Sequence, residues 1–379
     1  MELNELRTKI DAIDDQLASL YDRRMKLIKE VGKEKAGTNR YVQDLTRENA
    51  IIRRVTKAVD EEVRVYCKQV FETLFETSRA YQARFMRIPS GIAEEIRTNI
   101  DSGLKVFPDY ASVACQGVEG AYSMIATTRL FPLSDITYFK NFDGVFHAVE
   151  KGLCGYGVLP IENSSAGSVN EVYDLMKEHK FYIVRSVKLH VQHHLLAKRG
   201  AKLSEIKEVF SHEQAINQCK KWLGKTDIKV TVVPNTAVAA KMVAESDRTD
   251  VACISSRECA SLYGLNVLAA NMQDNDNNYT RFIVISRKME IFKMSNRVSI
   301  MVNLPHTPGS LNRMLNKFCT LGFNLTKLES RPIPNSSFEF MFYFDFEADI
   351  ENPEVVNLFA ELENGEGQLV FLGSYYEVA

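Results

Sequence analysis

Arg24 and Lys35 stand eleven residues apart in a run whose apolar residues recur every three or four positions. At about 100° per residue that spacing sets them about 20° apart on one helix face, where two cations suit a small carboxylate. Arg7 precedes Arg24 by seventeen residues, about 25 Å along such a helix, so it reaches the same ligand only if a second chain delivers it. Four later stretches gather hydrogen-bonding residues: QGVEGAYS (116–123), GVLPIENSSAGSV (157–169), FSHEQAINQC (210–219) and NYTRF (278–282). The second reads as a strand followed by a polar loop at its C-terminal end, the place where open α/β sheets put ligands. The first could offer backbone N–H groups to an anion, without the spacing of a dinucleotide or P-loop motif. Near the end, HTPGSL (306–311) sets Gly309 beside a helix N-terminus, a place for a carboxylate, and ESRP (329–332) closes a strand.

Three other signals fail on inspection. Asp274, Asp276 and Asn278 begin like a calcium loop, but Tyr279 stands where the turn needs Gly and Ile285 where a bidentate Glu is required. His193 and His194 lack ligand spacing to other His or Cys. Ser211 and His212 are neighbours on a strand and point to opposite faces, so they do not imply a hydrolytic pair. No metal, cofactor or nucleotide is expected.

The elements that must position these residues differ along the chain. Leu3, Leu6, Ile10, Ile13, Leu17, Leu20, Leu27 and Val31 predict one long helix to about Lys35. A second helix starts near Asp44 or Thr46, and a third covers roughly 61–84. This first domain, residues 1–88, is all α, and its long apolar stripe favours pairing with a second copy. After a linker at 89–107, short β-like runs at 112–115, 155–160, 207–211, 229–233, 251–255 and 282–286 alternate with helical patterns, an α/β domain over 108–287. Residues 297–379 give the order βαββαβ, with helices at about 310–321 and 353–363, an α+β ferredoxin-like sandwich. With 45% hydrophobic and 25% charged residues and a net charge of −2, the chain is globular, with no membrane span and no basic field for nucleic acid. Seven scattered cysteines without a CxxC pair, and an N-terminus unlike a signal peptide, predict a cytoplasmic protein with reduced thiols.

LRTKIDAIDDQLASLYDRR, VGKEK, VQDLTRE and Ser78 four residues before Gln82 make the first segment similar to the all-helical chorismate mutases. Taken singly, each central stretch is also what a capped turn would carry. All four in this order resemble the prephenate dehydratases, a fold of two lobes like periplasmic binding proteins, although Val118 and Ala121-Tyr122 depart from that family's first motif. HTPGSL and ESRP resemble the ACT domain of phenylalanine-regulated dehydratases. The whole chain therefore resembles the bifunctional P-protein family of phenylalanine biosynthesis on the shikimate route.

On that resemblance Arg7 of a neighbouring chain, Arg24 and Arg47 hold the carboxylates of chorismate. Lys35 and Gln82 contact its ether oxygen, and Asp44, Glu48 and Ser78 its hydroxyl end. Thr280 is the catalytic hydroxyl of the dehydratase, Asn163, Ser211 and Gln218 line its pocket, and Glu162, Ser123 and Arg281 are further candidates, Glu162 as a proton relay. Gly309, Ser310 and Leu311, with Glu329, Ser330 and Arg331 of a facing subunit, bind L-phenylalanine. The implied enzyme is an isomerase and a carbon–oxygen lyase, a homodimer or homotetramer inhibited by phenylalanine. The competing readings are an arogenate dehydratase and a non-catalytic amino-acid sensor.

Overall fold

Leu3–Lys35 form a single helix, α1, because the segment contains no proline and its one glycine, Gly32, sits near the end. The computed structural model describes residues 3–36, 44–86, 90–103, 105–333, 340–364 and 367–378. Helices α2 (Leu45–Lys57) and α3 (Arg64–Ala83) follow. Asp44 caps α2 by accepting from the backbone N–H of Arg47 at 3.0 Å. Both α1 and α2 pack on α3, yet the apolar stripe of α1 is bare within the chain: Ile10, Ile13, Leu17 and Leu20 are each more than half exposed. The segment expected as a linker contains a further helix, α4 (Gly91–Asp101), capped by Ser90 and fixed by buried Ala93 and Ile96.

The middle of the chain continues as β1 (Ser112–Gln116), α5 (Tyr122–Leu130), β2 (Asp135–Phe139), α6 (Phe142–Glu150), β3 (Tyr156–Asn163), β4 (Gly167–Ser168), α7 (Asn170–Glu178) and β5 (Tyr182–His190). It then runs through β6 (His194–Ala197), β7 (Glu208–Ser211), α8 (Glu213–Gln218), α9 (Lys220–Leu223), β8 (Lys229–Val232), α10 (Thr236–Glu245), β9 (Val251–Ser255), α11 (Arg257–Tyr263) and β10 (Asn266–Ala269), and returns in β11 (Tyr279–Ser286). The last part is β12 (Arg297–Leu304), α12 (Ser310–Leu321), β13 (Asn324–Pro332), β14 (Phe340–Glu347), α13 (Pro353–Glu363) and β15 (Gln368–Val378), the expected βαββαβ order. The start of the third expected run of this segment, 337–339, lies outside the described residues.

Packing groups these elements into two units, residues 1–102 with 297–371 and residues 103–296 with 372–379. In the first unit the strand order is β13-β14-β12-β15, α12 packs on α3 and α4 packs on α13. In the second, one sheet has the order β5-β11-β3-β1-β2 and another β10-β6-β9-β7-β8, so the chain crosses between two α/β lobes after β5 and again before β11. The last residues of β15, Tyr376–Val378, pair parallel with β5 and complete the first of these sheets. Short apolar runs do not disclose β2, β5, β6 or β10. In β5, Arg185, Lys188 and His190 interrupt the apolar pattern, because that strand takes its place from its neighbours β11 and β15.

Five of the seven cysteines are buried, and all are free thiols. Burial pushes the Cys115 and Cys219 thiols up to about 12, which makes them unreactive.

Gly157 lets α6 lie close on β3, since a Cβ there would meet Val145 Cγ1 at 2.8 Å, Ile285 Cγ1 at 2.9 Å and Val149 Cγ2 at 3.0 Å. Gly157→Ala is expected to destabilise this unit by about 1–3 kcal/mol through overpacking, read as a lower urea midpoint for loss of its fold.

Candidate functional site

The strand β3 ends in Asn163, directly across from Thr280 on β11. Asn163 Oδ1 accepts from the backbone N–H groups of Ser165 and Ala166, at 3.0 and 2.9 Å. Those two bonds fix the amide, so Nδ2 must point the other way, where it donates to Thr280 Oγ1 and to Asn278 Oδ1, both at 2.9 Å. Asn278 Nδ2 in turn donates to Gln218 Oε1 at 3.1 Å, and His193 Nε2 meets the same oxygen at 2.8 Å. Because Gln218 Oε1 can only accept, His193 carries its proton on Nε2. The chain of bonds therefore has one polarity, and it leaves the Thr280 hydroxyl hydrogen free to donate. Gln218, at one end of this chain of bonds, also lines an open pocket of about 450 Å³ between the loop after β3 and α8, together with Ser165, Ala166, His212, Glu213, Gln214 and Asn217.

Glu162 and Arg281 do not join this group, which corrects their expected place in the pocket. Consecutive residues on a strand project to opposite faces, so Glu162 and Arg281, paired across β3 and β11, point away from Asn163 and Thr280. Arg281 is buried and held by Glu377 Oε2 at 2.7 Å, by the Tyr375 hydroxyl at 2.7 Å and by Glu162 at 3.5 Å. Glu162 consequently cannot relay a proton to Thr280.

Ser211 is also turned elsewhere: fully buried, it donates to the backbone carbonyl of Ile254 at 2.8 Å, because its strand β7 lies inside the second lobe. His212 caps α8 instead of pairing with it, accepting from Gln214 N–H at 3.3 Å. Gly120 serves packing, its φ of +88° bringing the loop so close to α11 that a Cβ would stand 2.8 Å from Cys259 Sγ. Ser123 is buried in the first turn of α5, and the carboxylate of Asp274 accepts from Lys221 N–H at the start of α9. Sequence reasoning missed Asn278 as the link between Asn163 and Gln218, and His193 as the partner of Gln218. Asn278 abuts the Thr-Arg-Phe motif, whereas nothing local marks His193.

In the helical segment Arg24 donates to Ser78 Oγ and, at 3.4 Å, to the carbonyl of Leu74, joining α1 to α3. Burial lowers the pKa of Arg24, with Tyr21 opposing the shift. Glu48 on α2 is bound by Arg79 of α3, which also holds Glu76 at 2.6 Å. Burial works to lower Arg79, but Glu76 and Glu48 prevail and raise it. Gln82 is buried beside Gly32, and its Oε1 has no hydrogen-bond partner among the described residues. Lys35 is half-buried at the end of α1, Asp44 and Arg47 are exposed at the start of α2, and Arg7 is exposed near the opposite end of α1. Arg79 was not anticipated, since its only local signal is an arginine inside an apolar helix.

In the βαββαβ segment Gly309, at φ +85°, caps α12, Ser310 is buried in contact with Thr307 at 2.8 Å, and Leu311 follows in the first turn. Glu329, Ser330 and Arg331 lie on the edge strand β13, two strands and so about 10 Å from β12, with Glu329 and Arg331 on one face and Ser330 on the other.

Two lobes holding a network of amide, hydroxyl and imidazole groups, and a helical segment whose guanidinium groups are held by hydrogen bonds and ion pairs, define an enzyme that handles small carboxylated molecules by positioning and polarisation. Residues 113–290 match the prephenate dehydratase family and residues 6–83 match chorismate mutase type II. A relative from Escherichia coli, a bifunctional chorismate mutase/prephenate dehydratase, is 31% identical over 98% of this chain and 95% of its own length. An arogenate dehydratase/prephenate dehydratase of Arabidopsis thaliana is 37% identical over 75% of this chain and 76% of its own. The crystal structure of a prephenate dehydratase from Arthrobacter aurescens in complex with L-Phe superposes with a TM-score of 0.63 at 27% identity, covering 70% of this chain and 89% of that one. The chain belongs to the bifunctional chorismate mutase/prephenate dehydratases, enzymes of phenylalanine biosynthesis with an isomerase and a lyase activity.

Burial lowers His193 below the ordinary imidazole value of 6.5, with the Gln218 hydrogen bond opposing it. The folded state thus prefers neutral His193, and stability is complete above 6.5 and lost as pH falls below it, because the unfolded chain takes up the proton first. Between about pH 7 and pH 5 the urea midpoint of this unit is expected to fall, and to fall less in His193→Asn.

Proposed function

We propose that the two activities divide between the two regions, with residues 1–88 rearranging chorismate to prephenate and residues 108–287 converting prephenate to phenylpyruvate. The observation that carries the dehydratase reading is the bond from Asn163 Nδ2 to Thr280 Oγ1, which leaves the hydroxyl proton of Thr280 free in a network that reaches the pocket through Gln218. In prephenate the ring C–OH bond breaks with its electron pair, and the bond to the ring carboxylate breaks to supply two electrons to the ring. Water and carbon dioxide depart as the ring becomes aromatic, and one proton is consumed. Thr280 donates to the departing oxygen, and solvent replenishes its proton. Gln218, whose Oε1 is occupied, presents its Nε2 donors to the substrate, and Asn163 orients Thr280.

The mutase reaction breaks one C–O bond, makes one C–C bond and transfers no proton, so compaction of the substrate and positive charge at the breaking ether suffice. Arg24, Arg47 and Arg7 from a second chain hold the carboxylates. Lys35 and Gln82 face the ether oxygen, Gln82 through the N–H donors of its Nε2. Glu48, fixed by Arg79, takes the hydroxyl end with Ser78 and Asp44. The exposed apolar stripe of α1 supports a dimer as the smallest assembly that completes this site.

The βαββαβ segment reads as a ferredoxin-like ACT domain that binds L-phenylalanine at Gly309, Ser310 and Leu311, with Glu329, Ser330 and Arg331 of a facing subunit. End-product inhibition of the enzyme follows from that site. The L-Phe complex of the Arthrobacter aurescens relative supports this reading. Unpaired cysteines suit a reducing compartment, the cytoplasm. Arogenate is the second candidate substrate, favoured by the plant relative, whereas the mutase segment favours prephenate because it would make it.

Three measurements test the division. Purified protein given chorismate should release phenylpyruvate, and arogenate turning over faster than prephenate would reassign the substrate. Arg24→Ala or Lys35→Ala should abolish mutase turnover while sparing dehydration of added prephenate, and Thr280→Ala should lower the dehydratase kcat about 10²–10⁴-fold with the mutase unchanged. Calorimetry should show phenylalanine binding that Gly309→Ala weakens about tenfold, since a Cβ at φ +85° costs about 1–2 kcal/mol of strain.

A further inference from the structure

One face of α6 carries Asp143, His147 and Glu150 at successive turns, and His179, the residue that follows α7, is set against them. We propose that these residues bind a zinc-class divalent cation, with Asp143, His147 and His179 as ligands and Glu150 orienting both imidazoles.

The geometry is that of a ligand set more than of a hydrogen-bonded cluster. His147 Nε2 lies 3.6 Å and His179 Nε2 3.4 Å from Asp143 Oδ1, and one ligand atom from each of the three residues falls within 4.8 Å of the others. These separations exceed an ordinary N–H···O distance of about 2.7–3.2 Å. They match the edge of a tetrahedron around zinc, about 3.3–3.4 Å when metal–donor bonds are about 2.0–2.1 Å. The opposite nitrogens of both rings face Glu150, with Nδ1 of His147 at 3.4 Å and of His179 at 3.6 Å from Oε2. A carboxylate behind the imidazole holds a ligating histidine in one tautomer, and here a single carboxylate serves two rings. Three protein ligands leave a fourth position for water.

The site is also partly assembled in advance. The His179 side chain is 8% exposed, stacks on buried Phe146 with centroids 5.2 Å apart, and stands edge-on to His147 at 88°. Asp143, His147 and Glu150 are half exposed, so an ion enters from solvent. Two imidazole donors select a zinc-class ion over magnesium or calcium, which take oxygen ligands. A bound cation ties α6 to the connection between α7 and β5. No local motif marks the site, since His147 and His179 lie thirty-two residues apart, and only the fold brings them together.

The test titrates the full chain, in chelator-treated buffer, with zinc chloride alone by calorimetry. One site per chain is expected, and cobalt(II) should give the visible bands of a four-coordinate site. Glu150→Gln should weaken zinc about 10–100-fold, and His147→Ala or Asp143→Asn should remove the site. Unchanged mutase and dehydratase turnover in these surface variants reports that they fold. Zinc bound equally well by wild type and variants overturns the proposal. So does an absence of zinc binding in the wild type, which assigns the cluster to proton-dependent ion pairs.

Discussion

A single side-chain amide fixes the geometry of the dehydratase crevice. Asn163 is gripped at its oxygen by two backbone N–H groups of the turn that follows β3, and an amide so held has no choice about where its nitrogen points. Thr280 accepts from that nitrogen, which leaves its own hydroxyl proton free to donate. The same nitrogen begins a line of bonds through Asn278 and Gln218 to His193. His193 and Asn278 lie on the two segments where the chain passes between the lobes, so the group that orients the Thr280 hydroxyl also ties both crossings to α8. Each member of the line is positioned by its neighbour's polarity, which is why a weakly acidic threonine can be presented in one orientation.

The helical site works by a different constraint. A rearrangement without nucleophile or proton transfer asks only for shape and charge, and both come from packing cations against a helix that supplies acceptors. Ser78 and the Leu74 carbonyl hold Arg24, and Glu48 and Glu76 hold Arg79, so the guanidinium groups are ordered before any substrate arrives. Preorganised charge of this kind acts without reorganising during the reaction. The apolar stripe left bare on α1 belongs to the same logic, because one thirty-three-residue helix cannot cover its own face with two shorter ones.

Neighbours in sequence part company at the catalytic strand. Thr280 faces the crevice while Arg281 faces inward to Glu377 and Tyr375, residues from the end of the chain. Thr280 and Arg281 sit side by side in one motif, and alternation along β11 gives them separate partners: one is held by Asn163, and the other clamps β11 to β15. Ser211 shows the same effect, since its motif position is suggestive but its strand turns the hydroxyl to Ile254.

Local elements and the available chemistry were legible in the order of residues alone. The 3–4 spacing of apolar residues produced α1, Asp44 produced the start of α2, and Gly309 produced the cap of α12, because each depends on contacts within a few residues. The motifs also singled out Asn163, Gln218 and Thr280, which the fold joins in one line of hydrogen bonds. Which groups meet was set by the fold. His193, Asn278 and Arg79 became partners through contacts far apart in the chain, β5 and the end of β15 found their sheet from neighbours and not from their own pattern, and Glu162 and Arg281 were sent to the far face. Such outcomes depend on strand pairing and side-chain direction, which a local run of residues does not encode.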